Sequence, residues 1–126
     1  MIIIAYGGKN WARDLKLAHW PWPTHVSGWT DDMPCFLNAA DIVITKPGGS
    51  TVMECMGSRK PMLLLGGLPG QEEGNADFVE KYGLGIALNK KCSNFDEALG
   101  LDLAHYEKFQ KNCLKQQTPH AATEIA

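Results

Sequence analysis

Residues 40–65, "ADIVITKPGGSTVMECMGSRKPMLLL", join two apolar segments through a turn that contains two glycines. The apolar segments at 41–46 and 61–66 lack the alternation of a half-exposed strand, which is typical of strands buried on both faces of a parallel sheet. Residues 50–58, between the turn and the second segment, are predicted to be helical. The order strand, helix, strand indicates a βαβ unit.

The same alternation continues on both sides of this unit. Further strands are predicted at 2–6, 24–29 and 84–88, and further helices at 9–19, 33–40, 71–82 and near 103–117. Residues 118–126 are predicted to form a short capped helix. With 126 residues in total, the chain is expected to be a single α/β domain over 1–126, with a Rossmann-like parallel sheet flanked by helices.

Composition excludes several classes of function. The formal net charge of -2 gives no basic field that would favour nucleic acid. No apolar run approaches the roughly 20 residues of a membrane span. The four cysteines form no CxxC pair, so no metal site is expected; Cys35 and Cys55 are interpreted as small apolar residues, and the thiols as reduced in a cytoplasmic protein.

The glycine turn, "KPGGST" at 46–51, has two interpretations. It could cradle an anion, because Gly48 and Gly49 allow positive φ and close backbone approach, and the helix that follows offers unpaired N–H groups. It could instead be a capping box, with Thr51 as the cap and Glu54 reaching back. The turn alone does not decide between them.

A second polar loop, "LPGQEEGN" at 68–75, also follows an apolar strand and precedes a helix. Acidic residues at the start of a helix interact favourably with the helix dipole. A neighbouring amide and carboxylate can also bind the vicinal hydroxyls of a sugar. A phosphate-binding loop and a hydroxyl-binding loop on neighbouring strands together suggest a nucleotide sugar.

The stretch from 41 to 88, with Gly-Gly-Ser/Thr-x-x-x-Glu followed by Pro-Gly-Gln-Glu-x-x-Asn, resembles the carboxyl-terminal half of a GT-B glycosyltransferase of family 28. Within that family it is most similar to processive diacylglycerol glucosyltransferases and monogalactosyldiacylglycerol synthases. The resemblance implies a UDP-sugar as donor substrate, no cofactor and no metal.

The resemblance also implies roles for individual residues. The donor nucleotide would contact Trp29, Thr30, Gly48, Gly49, Ser50, Thr51 and Glu54. The backbone around Gly49 would hold the diphosphate, and Glu54 the ribose hydroxyls. The donor sugar would lie at Gln71, Glu72 and Asn75, where Gln71 and Glu72 grip its hydroxyls and Asn75 orders the loop.

Residues 27–33, "SGWTDDM", match the uracil loop of the family. There the Thr30 backbone would meet the base edge, and Trp29 would cover the ring. Without the resemblance, Trp29 is equally well interpreted as a core aromatic at a strand end.

A family-28 enzyme has two Rossmann-like domains, and the acceptor site and catalytic base belong to the amino-terminal one. We therefore expect no catalytic residue in this chain, no sugar transfer by the chain alone, and membrane contact only through the absent domain. The first strand of the sheet would also precede residue 1. Three arrangements are possible: the sheet closes over that gap, a second copy or another chain fills it, or the sequence is a fragment. We expect a fragment whose strands form one sheet.

Three functions remain open at this point. The chain is expected to be the donor half of an inverting glycosyltransferase that transfers a hexose to a diacylglycerol-like lipid, in the cytoplasm and peripheral to the membrane in the full-length enzyme. It could instead be a non-catalytic UDP-sugar-binding subunit that acts with a separate acceptor-binding chain. A plain α/β domain without a ligand is the third interpretation.

Overall fold

The computed structural model describes residues 2–5, 11–66, 70, 72–88, 91 and 93–117. Contacts divide the chain into two units, 1–39 and 40–126. The short predicted helix at 118–126 lies outside the described residues.

The first unit alternates strands and helices in the order β1, α1, β2, α2. These elements are Ile2–Ala5, Trp11–Leu17, Thr24–Ser27 and Met33–Ala39. β1 and β2 pair in parallel, with Ile2 opposite Thr24. In α2 Leu37 is buried but Cys35 is exposed, so the interpretation of Cys35 as a packed apolar residue is wrong.

The second unit continues the alternation and then adds two helices. Its elements are β3 Val43–Thr45, α3 Gly49–Gly57, β4 Met62–Leu64, α4 Glu73–Lys81, β5 Gly85–Ala87, α5 Phe95–Leu99 and α6 Leu103–Gln116. The strands are parallel in the order β3-β4-β5. Within the described residues the predicted strands and helices are thus confirmed, and α5 is an additional helix. The five described strands form two sheets, however, where we expected one.

The centre of the second unit is β4. Met62 and Leu63 are fully buried and Leu64 is 1% exposed, because β4 has a strand on each side. This is the arrangement that a continuous apolar run predicts, since alternate side chains enter opposite layers of helices.

α6 packs on α3 through buried thiols and polar anchors. Cys55 and Cys113 are fully buried, and burial raises the pKa of the Cys55 thiol to about 12 and that of Cys113 to about 11. Both thiols therefore stay protonated and act as small apolar groups, as predicted for Cys55. The Gln117 side chain donates to the Met56 and Gly57 carbonyls at 3.1 and 2.8 Å.

A helix that crosses a bilayer must be about 20 residues long and mostly apolar. Within the described ranges, none of the helices is both long enough and apolar enough to span one.

Candidate functional site

Parallel pairing places the carboxyl ends of β3 and β4 at one edge of the second unit. Thr45, at the end of β3, pairs with Leu64, at the end of β4, and the Leu65 N–H donates to the Thr45 carbonyl at 2.7 Å. The segments that follow both strands therefore leave the sheet side by side, at its carboxyl edge. Ligands of open α/β sheets bind beyond this edge.

The first corner leads from β3 into the amino-terminal end of α3. The Gly48 N–H bonds to the Lys46 carbonyl at 2.8 Å, and the Val52 N–H bonds to the Gly48 carbonyl at 2.9 Å. Because Val52 donates the first bond of the helix, the N–H groups of Gly49, Ser50 and Thr51 have no carbonyl acceptor within their own helix. These three donors and the positive end of the helix dipole suit an anion.

The capping-box interpretation of this corner is wrong. The cap of α3 is Gly48, which has no side-chain cap bond, and Thr51 lies inside the first helical turn. The helix begins three residues earlier than the box requires, so Thr51 cannot act as the cap.

The reason for the two glycines is also different from the one expected. Gly48 has φ −69° and Gly49 is already helical, so neither uses a positive φ. A Cβ added at Gly48 would meet nothing within 4 Å, and one at Gly49 would meet only the Asn75 Nδ2 atom, at an ordinary 3.7 Å. Neither backbone conformation nor packing demands glycine here. Both positions could still require glycine because a ligand approaches their backbone closely.

A hydrogen bond joins the second corner directly to the first. Asn75, in the first turn of α4, donates from Nδ2 to the Pro47 carbonyl at 2.8 Å. Pro47 is fully buried, so this bond holds the glycine turn on its buried side. The bond gives Asn75 a contact with the glycine turn, while its predicted roles in ordering its own loop and in contacting a sugar stay predictions. Pro47 was not predicted as a site residue, although the sequence places a proline directly before the two glycines.

The other residues of the second corner are partly described. Glu72 is the cap residue of α4, and its carbonyl accepts from the Asn75 N–H at 3.2 Å. Gln71 lies outside the described residues, so its predicted contact with the donor hexose stays a prediction.

Removing the bond between the corners should cost stability and ligand affinity together. We expect Asn75→Ala to lower the free energy of unfolding by about 1 to 2 kcal/mol, because the Pro47 carbonyl loses its partner. Urea unfolding and titration with UDP would measure the two effects. Asn112→Ala is the matched control, since its side-chain amide bonds the Gly83 carbonyl at 3.0 Å elsewhere. The control should lose similar stability without loss of UDP affinity; equal affinity losses in both variants would contradict a special role for Asn75.

The outer face of α3 is open to solvent beside the turn. Ser50 and Glu54 are exposed, and Thr51 is half-buried. Ser50 and Glu54 stand four residues apart, so they share one face of the helix. The Glu54 carboxylate can thus accept bonds from a ligand bound at the helix start. Among the residues that the structure describes, no three His, Cys, Asp or Glu side chains gather as a metal site.

The predicted uracil loop belongs to the first unit. The Trp29 side chain is 85% exposed, so its interpretation as a core aromatic is wrong. The Asp32 N–H donates to Thr30 Oγ1 at 3.0 Å, which shapes the loop just before α2. An exposed indole on an ordered turn is available to stack on a base, and this role stays a prediction.

Two solved structures that share this fold are glycosyltransferases. The glycosyltransferase of kitacinnamycin matches 99% of this chain and 42% of its own, with a TM-score of 0.60 and 13% identity. The calicheamicin glycosyltransferase matches 98% of this chain and 40% of its own, with a TM-score of 0.60 and 16% identity. The fold is therefore that of a GT-B glycosyltransferase, as predicted.

Sequence comparison gives the family within this class. The profile of the glycosyltransferase family 28 C-terminal domain matches residues 1–125, and the chain belongs to that family.

Curated relatives come from plants and bacteria. Monogalactosyldiacylglycerol synthase 2 of Arabidopsis thaliana is 34% identical over 68% of this chain, and the match spans 18% of that protein. The processive diacylglycerol beta-glucosyltransferase of Bacillus pumilus is 30% identical over 98% of this chain and 34% of its own length. The chain thus spans between 18% and 34% of the length of these relatives.

Proposed function

We propose that the chain is the donor-binding part of a glycosyltransferase that moves a hexose from a UDP-sugar to a lipid acceptor. The observation that carries the proposal is the Asn75–Pro47 hydrogen bond of 2.8 Å, which joins the two polar corners beside the free N–H groups of α3. The relatives named for diacylglycerol glucosylation and monogalactosyldiacylglycerol synthesis support a lipid acceptor.

Each part of the donor has a matching group in the proposal. The N–H groups of Gly49, Ser50 and Thr51 bind the diphosphate, and the exposed Glu54 carboxylate accepts bonds from the ribose hydroxyls. Gln71 and Glu72 bind the hexose, while Trp29 and Thr30 bind the uracil. Gly48 and Gly49 leave space for the phosphates at the turn.

The transfer itself proceeds by direct displacement with inversion at the anomeric carbon. The acceptor hydroxyl oxygen forms a bond to this carbon as the bond to the UDP oxygen breaks, and a base takes the hydroxyl proton. The start of α3 favours the leaving UDP, because its N–H groups stabilise the negative charge that grows on the diphosphate. The base and the acceptor site belong to the rest of the enzyme.

Calorimetric titration with UDP, UDP-glucose, UDP-galactose and UDP-N-acetylglucosamine tests donor binding. We expect Gly49→Ala to weaken UDP binding about tenfold or more, because the added methyl occupies space that the diphosphate needs. The variant should fold, since its Cβ meets only the Asn75 amide at 3.7 Å.

Gly57→Ala is the matched control for this experiment. It makes the same chemical change at the other end of α3, where an added Cβ meets nothing within 4 Å. It should keep wild-type UDP affinity. No binding of any uridine nucleotide by the wild-type chain, or equal affinity for UDP in both variants, would refute the proposed donor site.

A further inference from the structure

A groove lies at the far end of α3, where this helix meets α6. Its volume is about 520 Å³, and three of its lining residues are cations: Arg59, Lys60 and Lys111. Glu107 is the acidic residue of the lining, one helical turn before Lys111, and offsets part of this charge. The groove is therefore locally basic in a chain whose formal net charge is -2.

Arg59 occupies a backbone conformation that favours glycine. Its φ is +57°, and it directly follows the cap of α3, Ser58. α4 ends in the same way, but there the corresponding residue is Gly83, with φ +59°. An arginine in this conformation is strained, and such strain is often retained where the side chain has a function.

Capping of α3 does not explain the cation, because the last carbonyls of the helix already have partners. Backbone N–H groups bond the Glu54, Cys55 and Met56 carbonyls at 2.9, 2.8 and 3.0 Å. The Gln117 side chain bonds the Gly57 carbonyl at 2.8 Å. The Arg59 guanidinium is thus not required to satisfy the helix end, and it lines the groove opposite α6.

We propose that this groove binds a phosphate monoester, with Arg59 and Lys111 as its main ligands. Arginine forms paired hydrogen bonds with phosphate oxygens, and lysine adds a point charge from the facing helix. Ser58 and Gln110, which also line the groove, can donate further hydrogen bonds. The monoester is either a small soluble molecule or the headgroup of an anionic lipid, since both present the same phosphate.

The groove is separate from the donor site. α3 has 9 residues, and at about 1.5 Å per residue its two ends lie about 13 Å apart. The glycine turn is at its start and the groove is at its end. Substitutions in the groove therefore report on this site without touching the diphosphate site.

Titration of the chain with glycerol 3-phosphate in low-salt buffer tests the proposal. We expect Lys111→Ala to weaken binding about tenfold, because one charge-assisted hydrogen bond is lost. Arg59→Gly should weaken binding at least as much, yet raise the melting temperature by about 2 to 5 °C, since glycine relieves the strained φ. A residue that served stability alone would not give these opposite changes.

Lys108→Ala is the matched control, because Lys108 is an exposed lysine of α6 that does not line the groove. It should bind glycerol 3-phosphate within about twofold of wild type. The second arm uses vesicles of phosphatidylcholine with and without phosphatidic acid. Binding to the phosphatidic acid vesicles but not to glycerol 3-phosphate would identify a lipid headgroup as the source. This binding should be lost in Lys111→Ala and Arg59→Gly. Absence of binding in both arms, or an equal loss in Lys108→Ala, would overturn the proposal.

Discussion

Replacing Gly85 by alanine is expected to destabilise the fold severely or to prevent folding. A Cβ at this position would collide with the Met62 carbonyl oxygen and would lie 2.8 Å from the Met62 carbonyl carbon and backbone nitrogen. The contact is with backbone rather than with a flexible side chain, so it cannot be relieved by a rotamer change. Met62 is fully buried in β4, the central strand, and Val43 of β3 lies opposite it on the other side.

The expected loss is therefore about 3 kcal/mol or more, a large part of the stability of a small domain. Circular dichroism and urea unfolding would show it as lost secondary structure or a sharply lower midpoint. Gly74→Ala is the control, because an added Cβ there meets nothing within 4 Å inside α4. It should stabilise the chain by about 0.5 to 1 kcal/mol. A Gly85→Ala variant that unfolds at the wild-type midpoint would contradict the close packing of β4 and β5.

Replacing Ser50 by aspartate is expected to lower the affinity for UDP by about a hundredfold while leaving stability unchanged or slightly higher. The two effects differ because the helix start attracts one negative charge and the bound diphosphate repels it. An acid in the first turn stabilises a helix by about 0.3 to 1 kcal/mol. Two like charges 4 Å apart repel by about 4 kcal/mol at an effective dielectric constant of 20, which is ample for a hundredfold loss.

Ser50→Asn separates charge from shape, since asparagine has the size of aspartate without its charge. We expect Ser50→Asn to lose about tenfold or less in UDP affinity, measured by the same calorimetry. The loss in Ser50→Asp should also shrink at high salt, because Ser50 is exposed and salt screens exposed charges. UDP affinity that is the same in Ser50→Asp and wild type would place the diphosphate elsewhere.

Much of the fold could be predicted because apolar runs and helical spacing are local properties of the sequence. Met62–Leu64 is buried throughout, as a run without polar residues requires. α5 was not predicted, since five residues are too few to show a helical period. The division of the strands into two sheets depends on contacts between distant segments, which no local pattern records.

The candidate site was predictable in its position but not in its detail. The order of strand, glycine turn and helix places Gly48–Gly49 at the carboxyl edge of the sheet, as found. The start of α3 could not be fixed, because both Gly48 and Thr51 are acceptable caps by sequence. The bond between Asn75 and Pro47 spans 28 residues and depends on how β3 and β4 align.

The proposed donor site is tested most directly by a crystal structure of the chain with UDP bound. We predict that diphosphate oxygens lie within about 3.1 Å of the N–H nitrogens of Gly49, Ser50 and Thr51. The nucleotide should also contact the exposed Glu54 carboxylate on the same helix. Density for UDP at any other part of the chain, with the start of α3 holding only water, would contradict the donor site.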